Sequence, residues 1–182
     1  MKLRKATSNL LIFDPEFTGF ANKFISSMGS DSEIVPVKSL AELTHAIDSF
    51  SNVRFLEVAL HGSPGQIRFA NGAGMTGVYF AKLAFSKPFI AKNARILFDS
   101  CNIGEGTAGD DFMDEFGKLM FFGKGGILGA TTVANHVYFP NTIFATNVYM
   151  NPREGLDAKL KVRRYDNFGN SVAQTEVNRL GF

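Results

Sequence analysis

Short apolar runs alternate along this chain with amphipathic stripes at helical spacing, and that alternation restricts the fold more than any single residue does. Residues 10–13 (LLIF) form an apolar run that stops at Asp14-Pro15, an N-cap followed by proline at the first helical position. Phe17, Phe20, Phe24 and Met28 then recur three and four residues apart, so they share one helical face that ends at Gly29. A β-branched run at 34–37 follows, then Ser39 and Glu42 in capping-box spacing ahead of Leu40, Leu43, Ile47 and Phe50. Two strand–helix units in succession predict an α/β layer structure with a mostly parallel sheet.

The pattern continues to mid-chain. A third strand is expected over 55–60 (FLEVAL), stopping at His61-Gly62-Ser63-Pro64-Gly65, with a hairpin over 66–69 and 72–75. A helix is expected over 78–91, bent or ended by Pro88. The fourth strand, 95–99, halts at Asp99-Ser100-Cys101 and gives way to glycines. Thr107 and Asp110 repeat the capping-box spacing before a helix whose buried face carries Phe112, Phe116, Leu119 and Met120, and 127–131 reads as a fifth strand. Beyond Thr132 the reading is β-rich, with hairpins over 136–139/143–149 and 160–165/171–175. The whole is one domain of 182 residues, an α/β core over about 8–132 with a β-rich C-terminal extension over about 133–182.

Composition excludes several function classes. Nineteen basic against 17 acidic residues leave a formal charge of +2 with no long basic run, so nucleic acid is not an expected partner. One cysteine and three scattered histidines argue against a disulfide framework and against a structural zinc site. The apolar run near the N-terminus is too short for a secretory signal or a membrane span, so a cytoplasmic protein is expected, with signal-independent delivery left open.

In open parallel sheets, ligands and catalytic groups gather beyond the carboxyl ends of the strands. His61 and Cys101 both fall at such ends, on successive strands separated by a hairpin and one helix. A thiolate is a nucleophile that a neighbouring imidazolium or helix N-terminus stabilises, and the glycines flanking both residues let backbone N–H groups approach a developing oxyanion. The plainer reading is that a lone cysteine after an apolar strand is a small buried hydrophobe and a lone histidine a satisfied polar residue. The conjunction of the two patterns favours the chemical reading; His45 and His136 lack such company and are read as structural.

The pair LHGSPG and ILFDSCNIGEG resembles the caspase-like cysteine peptidases, and most nearly the bacterial CHAT-type and related caspase-like domains; the resemblance covers about residues 10–132. It implies a three-layer caspase-like fold, a mostly parallel sheet flanked by helices. His61 would be the catalytic histidine, Cys101 the nucleophile, and the backbone N–H groups of Gly62 and Cys101 the oxyanion hole. Asp99, two residues before the cysteine, would line the substrate pocket; an exposed carboxylate there would favour lysine or arginine through a charge-assisted hydrogen bond. As a strand-end residue, Asp99 could equally cap nearby backbone. No metal or organic cofactor is implied, and the partner would be a peptide or protein substrate.

The C-terminal hairpins are also similar to the β-flap of the self-cleaving peptidase domains of RTX toxins, which inositol hexakisphosphate activates. By that likeness Lys159, Lys161, Arg163 and Arg164 could form a patch for an anionic activator, and the alternation of the first three puts them on one strand face. A solvated strand face is the simpler expectation.

Other classes compete. Gly104-Glu105-Gly106-Thr107-Ala108-Gly109 spells a G-x-G-x-x-G, but three residues separate it from the strand and no acidic residue stands near the end of the next strand to hold a ribose, so dinucleotide binding is not favoured. A non-catalytic binding module on the same fold and an acyltransferase using the same thioester remain alternatives to an endopeptidase.

Overall fold

The computed structural model describes residues 3–132 and 159–178, so the hairpin expected over 136–149, with His136, lies outside the described residues. Seventeen elements appear among the described residues. They are β1 (Lys5–Ala6), β2 (Asn9–Phe13), a 3-10 turn (Pro15–Phe17), α1 (Thr18–Met28), β3 (Ser32–Pro36), α2 (Leu40–Ser49), β4 (Phe50–Ser51), β5 (Val53–Ala59) and β6 (His61–Ser63). There follow β7 (Gln66–Arg68), β8 (Gly74–Thr76), α3 (Gly77–Phe85), β9 (Ile90–Phe98), α4 (Gly106–Met120), β10 (Gly126–Thr131), β11 (Lys159–Tyr165) and β12 (Ser171–Asn178).

The main sheet has seven strands in the order β12-β11-β10-β9-β5-β2-β3. From β10 to β3 all neighbours are parallel, while β11 runs antiparallel to β10 and β12 antiparallel to β11. The C-terminal hairpin therefore continues the main sheet at its edge. Among the described residues the fold is α/β, with one large mixed sheet and four α-helices.

Both faces of the sheet are covered. Leu10, Ile12, Leu56, Val58, Ile96, Phe98 and Leu128 meet Leu43 and Ile47 of α2, Phe80 and Ala84 of α3, and Phe112, Phe116 and Met120 of α4. Leu11, Phe13, Phe55, Ala59, Leu97, Leu160 and Val162 pack against Ala21 and Phe24 of α1. Burial on both sides is why residues 10–13, 96–98 and 127–130 read as continuous apolar runs with no polar alternation.

Local signals mostly act where the sequence puts them. Asp14 accepts a bond from the Glu16 N–H at 3.0 Å and starts the 3-10 turn, and Ser39 Oγ accepts from the Glu42 N–H at 3.3 Å. Glu42 reaches back to the N–H of Lys38 at 2.5 Å, one residue before the cap. Two expectations fail for physical reasons. The third helix stops at Phe85, well short of residue 91, because the backbone around Pro88 is drawn into the sheet: Asn52 and Val53 donate to the carbonyls of Pro88 and Phe89, both at 2.9 Å. Residues from Ile90 onward thus belong to β9, which is longer than the 95–99 expected. The Thr107/Asp110 capping box does not form; Glu105 occupies the N-cap without a side-chain bond, and Asp110 is engaged by cations of β11.

Candidate active site

Asp99 N–H donates to the Val58 carbonyl at 2.9 Å, which ties the carboxyl end of β9 to β5 just where the chain leaves the sheet. Buried Thr131 at the end of β10 then holds the Ser100 peptide, accepting from its N–H at 3.3 Å and donating its hydroxyl to its carbonyl. The chain turns through Cys101–Gly104 with Asn102 in the left-handed region (φ 55°), and Ile103 N–H returns to the Ser100 carbonyl at 3.2 Å. Cys101 stands exposed on this turn, not sealed in the core. The glycines that mimic a dinucleotide fingerprint serve packing: a Cβ on Gly109 would lie 2.1 Å from the carbonyl carbon of Gly104, and one on Gly104 would lie 2.9 Å from the Ala130 carbonyl oxygen. Those contacts seat the start of α4 directly behind the cysteine turn.

The histidine arrives on a different structure than expected. His61-Gly62-Ser63 is not an open turn but β6, the first strand of a three-stranded sheet with β7 and β8. Pro64-Gly65 closes the β6–β7 hairpin with Gly65 at φ 74°, as a tight turn with glycine third requires. This turn is clamped to the cysteine loop: Gly65 N–H donates to the Ile103 carbonyl at 3.0 Å, and a Cβ on Gly65 would stand 2.7 Å from the Ala108 carbonyl oxygen. Three residues earlier, a Cβ on Gly62 would meet the Cys101 carbonyl oxygen and Ser100 Cβ at 2.8 Å and the Cys101 nitrogen at 3.0 Å. Only glycine lets the His61 strand lie this close against the Cys101 backbone. Gly62 and Cys101, 39 residues apart in the chain's numbering, are thus direct neighbours.

Pairing within the hairpin also orients Gly62. Ser63 faces Gln66 across a two-residue turn and forms the hydrogen-bonded pair, so Gly62 and Ile67 form the non-bonded pair and the Gly62 N–H points away from β7. His61 itself is partly exposed, tilted against the ring of Phe17 at 5.2 Å between centroids, with Nε2 3.2 Å from Glu16 Oε2. The Asp14-Pro15-Glu16 segment at the carboxyl end of β2 therefore borders the imidazole. Its acids read from sequence only as a helix start.

Asp99 departs from expectation. Its side chain is buried (3% exposed), so it does not present an open carboxylate at the surface. In the neighbouring strand Glu57 is completely buried, and among the described residues neither of its carboxyl oxygens has a hydrogen-bond partner. Burial pushes the Glu57 carboxyl well above the usual carboxylate range, and the charge of Asp99 pushes it the same way. Two buried carboxyl groups, Glu57 and Asp99, thus interact just before the chain enters the cysteine turn. The signal for it was present, since Glu57 interrupts an otherwise apolar strand.

The basic residues of β11 are a second correction. Lys161 and Arg163 do share a strand face, but that face lies under α4 and both are buried. Lys161 Nζ bonds Asp110 Oδ1 at 2.8 Å, and Arg163 bonds Asp110 Oδ1 at 2.5 Å, Asp114 Oδ1 at 2.6 Å and Gln174 Oε1 at 2.6 Å. The solvated face fails because the hairpin joins the sheet beside α4, whose acids neutralise it. Lys159 and Arg164 stay exposed but point to opposite faces of the strand, so the four residues form no single patch.

A cleft of about 870 Å³ lies elsewhere, lined by Ser51, Asn52, Phe85, Lys87, Ile90 and Lys124 among others, toward the amino end of β9 and so at the opposite end of the sheet from Cys101. No helix among the described residues is long and apolar enough to cross a membrane. Compared with protein-family models, curated proteins and solved structures, the chain has no significant match in any of the three.

Proposed function

We propose that the protein is a caspase-like cysteine endopeptidase of the cytoplasm, acting on peptide or protein substrates through Cys101 and His61. One observation carries the reading: the His61-Gly62 strand lies against the Ser100-Cys101 backbone so closely that only glycine fits at 62. Exposure of Cys101, the thiol of a turn set between a strand end and the start of α4, supports it further. The helices on both sheet faces agree with a three-layer caspase-like arrangement.

In the proposed reaction the Cys101 thiolate attacks the scissile carbonyl carbon, and the electron pair moves to oxygen. Gly62 N–H, aimed away from β7, and Cys101 N–H are the donors proposed for that oxyanion. Collapse expels the amine, which takes a proton from His61, and leaves a thioester. Water, deprotonated by His61, then attacks the thioester and returns the thiol. Glu16 at Nε2 holds the imidazole by that nitrogen and leaves Nδ1 for the proton transfers.

Burial of Asp99 alters the expected preference for lysine or arginine. A basic substrate side chain would have to reach an interior carboxyl pair, Asp99 with Glu57, instead of a surface carboxylate. The test compares wild type with Cys101→Ala on fluorogenic peptides ending in lysine, arginine or neutral residues, together with a cysteine-directed affinity probe. Turnover and labelling by wild type alone are expected. Equal turnover by both proteins would remove Cys101 from the mechanism, and no turnover by either, with a thiol no more reactive than free cysteine toward iodoacetamide, would favour a binding module.

A further inference from the structure

The carboxyl end of β2 carries an acidic cluster that shares His61 with the proposed peptidase site. One ligand atom each of Asp14, Glu16 and His61 lies within 4.8 Å of the others. Asp14 is 1% exposed, and its two oxygens are treated differently. Oδ1 accepts the Glu16 N–H at 3.0 Å, while Oδ2 is buried and has no hydrogen-bond partner among the described residues. A buried carboxylate oxygen without a donor costs free energy until something compensates it. Among the described residues no lysine or arginine pairs with Asp14 or Glu16; the group facing them is the imidazole of His61.

We propose that Asp14, Glu16 and His61 form a binding site for a divalent first-row transition-metal ion, of which zinc is the representative. Two carboxylates and one imidazole are a donor set suited to such ions, and three protein ligands leave a coordination position open. Their two negative charges balance a dication. Bonds of about 2.0–2.1 Å around a tetrahedral ion put neighbouring ligand atoms roughly 3.3 Å apart. Glu16 Oε2 and His61 Nε2, at 3.2 Å, already stand at that separation. The backbone holds the buried ligand still: Asp14 N–H donates to the Ala59 carbonyl at 2.9 Å and Phe17 N–H to the Asp14 carbonyl at 2.8 Å. Exposed Glu16 supplies the movable ligand that closes on the ion.

Occupation has a consequence that rests on the peptidase reading. Metal on Nε2 prevents His61 from holding protons on both nitrogens, so it cannot cycle as base and acid, and turnover falls. The metal site and the thiol site then share one imidazole, and only one can work at a time.

Zinc titration of the full-length chain by calorimetry tests the site without reference to activity. One equivalent is expected to bind wild type and Cys101→Ala alike, and at least tenfold more weakly to Glu16→Gln and Asp14→Asn. Glu16→Gln is exposed and keeps the shape of the side chain, so its fold is not at risk; Asp14→Asn keeps the capping oxygen. Absence of zinc binding to wild type, wild-type affinity in both acid variants, or loss of binding in Cys101→Ala would each overturn the proposal. Zinc should also suppress peptide turnover in wild type far more than in Glu16→Gln. If no variant turns over peptide while the binding pattern holds, the peptidase reading fails and the metal site stands.

Discussion

Replacing Gly62 by alanine tests the contact on which the site depends. Gly62 lies in an ordinary extended strand, not in the left-handed region, so the new methyl meets no backbone penalty of its own. It meets atoms instead: the Cys101 carbonyl oxygen and Ser100 Cβ at 2.8 Å and the Cys101 nitrogen at 3.0 Å. Carbon contacts are optimal at about 3.5–4.0 Å, so β6 and the cysteine turn would have to separate by roughly 0.5–1 Å. Neither side yields easily, because β6 is clamped through Gly65 to Ile103 and the Ser100 peptide is held by Thr131. Overpacking of this kind costs about 1–3 kcal/mol. At about 2–4 °C per kcal/mol for a chain of this size, the melting temperature should fall by several degrees. The same displacement between a nucleophile and its acid–base partner lowers turnover on the order of 100-fold. Gly19→Ala is the control, since nothing lies within 4 Å of a Cβ there and the position is helical. It should leave turnover unchanged and stabilise the protein by up to about 1 kcal/mol. Urea unfolding read with peptide turnover and iodoacetamide reactivity separates the effects. A Gly62→Ala protein with wild-type stability and wild-type thiol chemistry would refute the close packing of the two segments.

Other outcomes follow from the interior charges. A carboxyl whose folded pKa lies above its unfolded value holds its proton more tightly in the native state. Glu57 should therefore make stability highest below the ordinary glutamate range and reduce it as pH rises through the elevated folded value. Glu57→Gln should flatten that decline in urea midpoints as pH rises above the ordinary glutamate range and raise stability at the alkaline end, and an unchanged slope would show that Glu57 is not the responsible group. Arg163→Met should cost about 2 kcal/mol, less than the 3–5 typical of a wholly buried pair because Asp110 and Asp114 remain partly hydrated. Arg164→Ala, at an exposed position, should stay within about 0.5 kcal/mol of wild type, and equal losses in the two variants would contradict the difference in burial between Arg163 and Arg164.

Much of the scaffold was legible from local order alone. The apolar runs of β2, β5, β9 and β10 and the caps at Asp14 and Ser39 are written in consecutive residues, because strand burial and capping are local physics. The hairpin at 166–170 was equally plain, since Asp166 and Gly169 carry their own turn chemistry. Where local signals competed with distant partners, the partners won. Residues 90–91 could extend a helix, but β5 draws Ile90 into the sheet; Asp110 could cap α4, but Lys161 and Arg163 claim it.

The sequence by itself determined that His61 and Cys101 stand at the ends of strands with glycines beside them. It did not determine what surrounds them. Tertiary structure decided that Asp99 turns inward beside Glu57, that Lys161 and Arg163 lie under α4, and that Asp14 and Glu16 border the imidazole. The physical reason is that solvation and charge pairing depend on which segments cover a residue, and those segments lie tens of residues away in the chain. A charged letter in a strand announces a problem; only the fold supplies the partner that solves it.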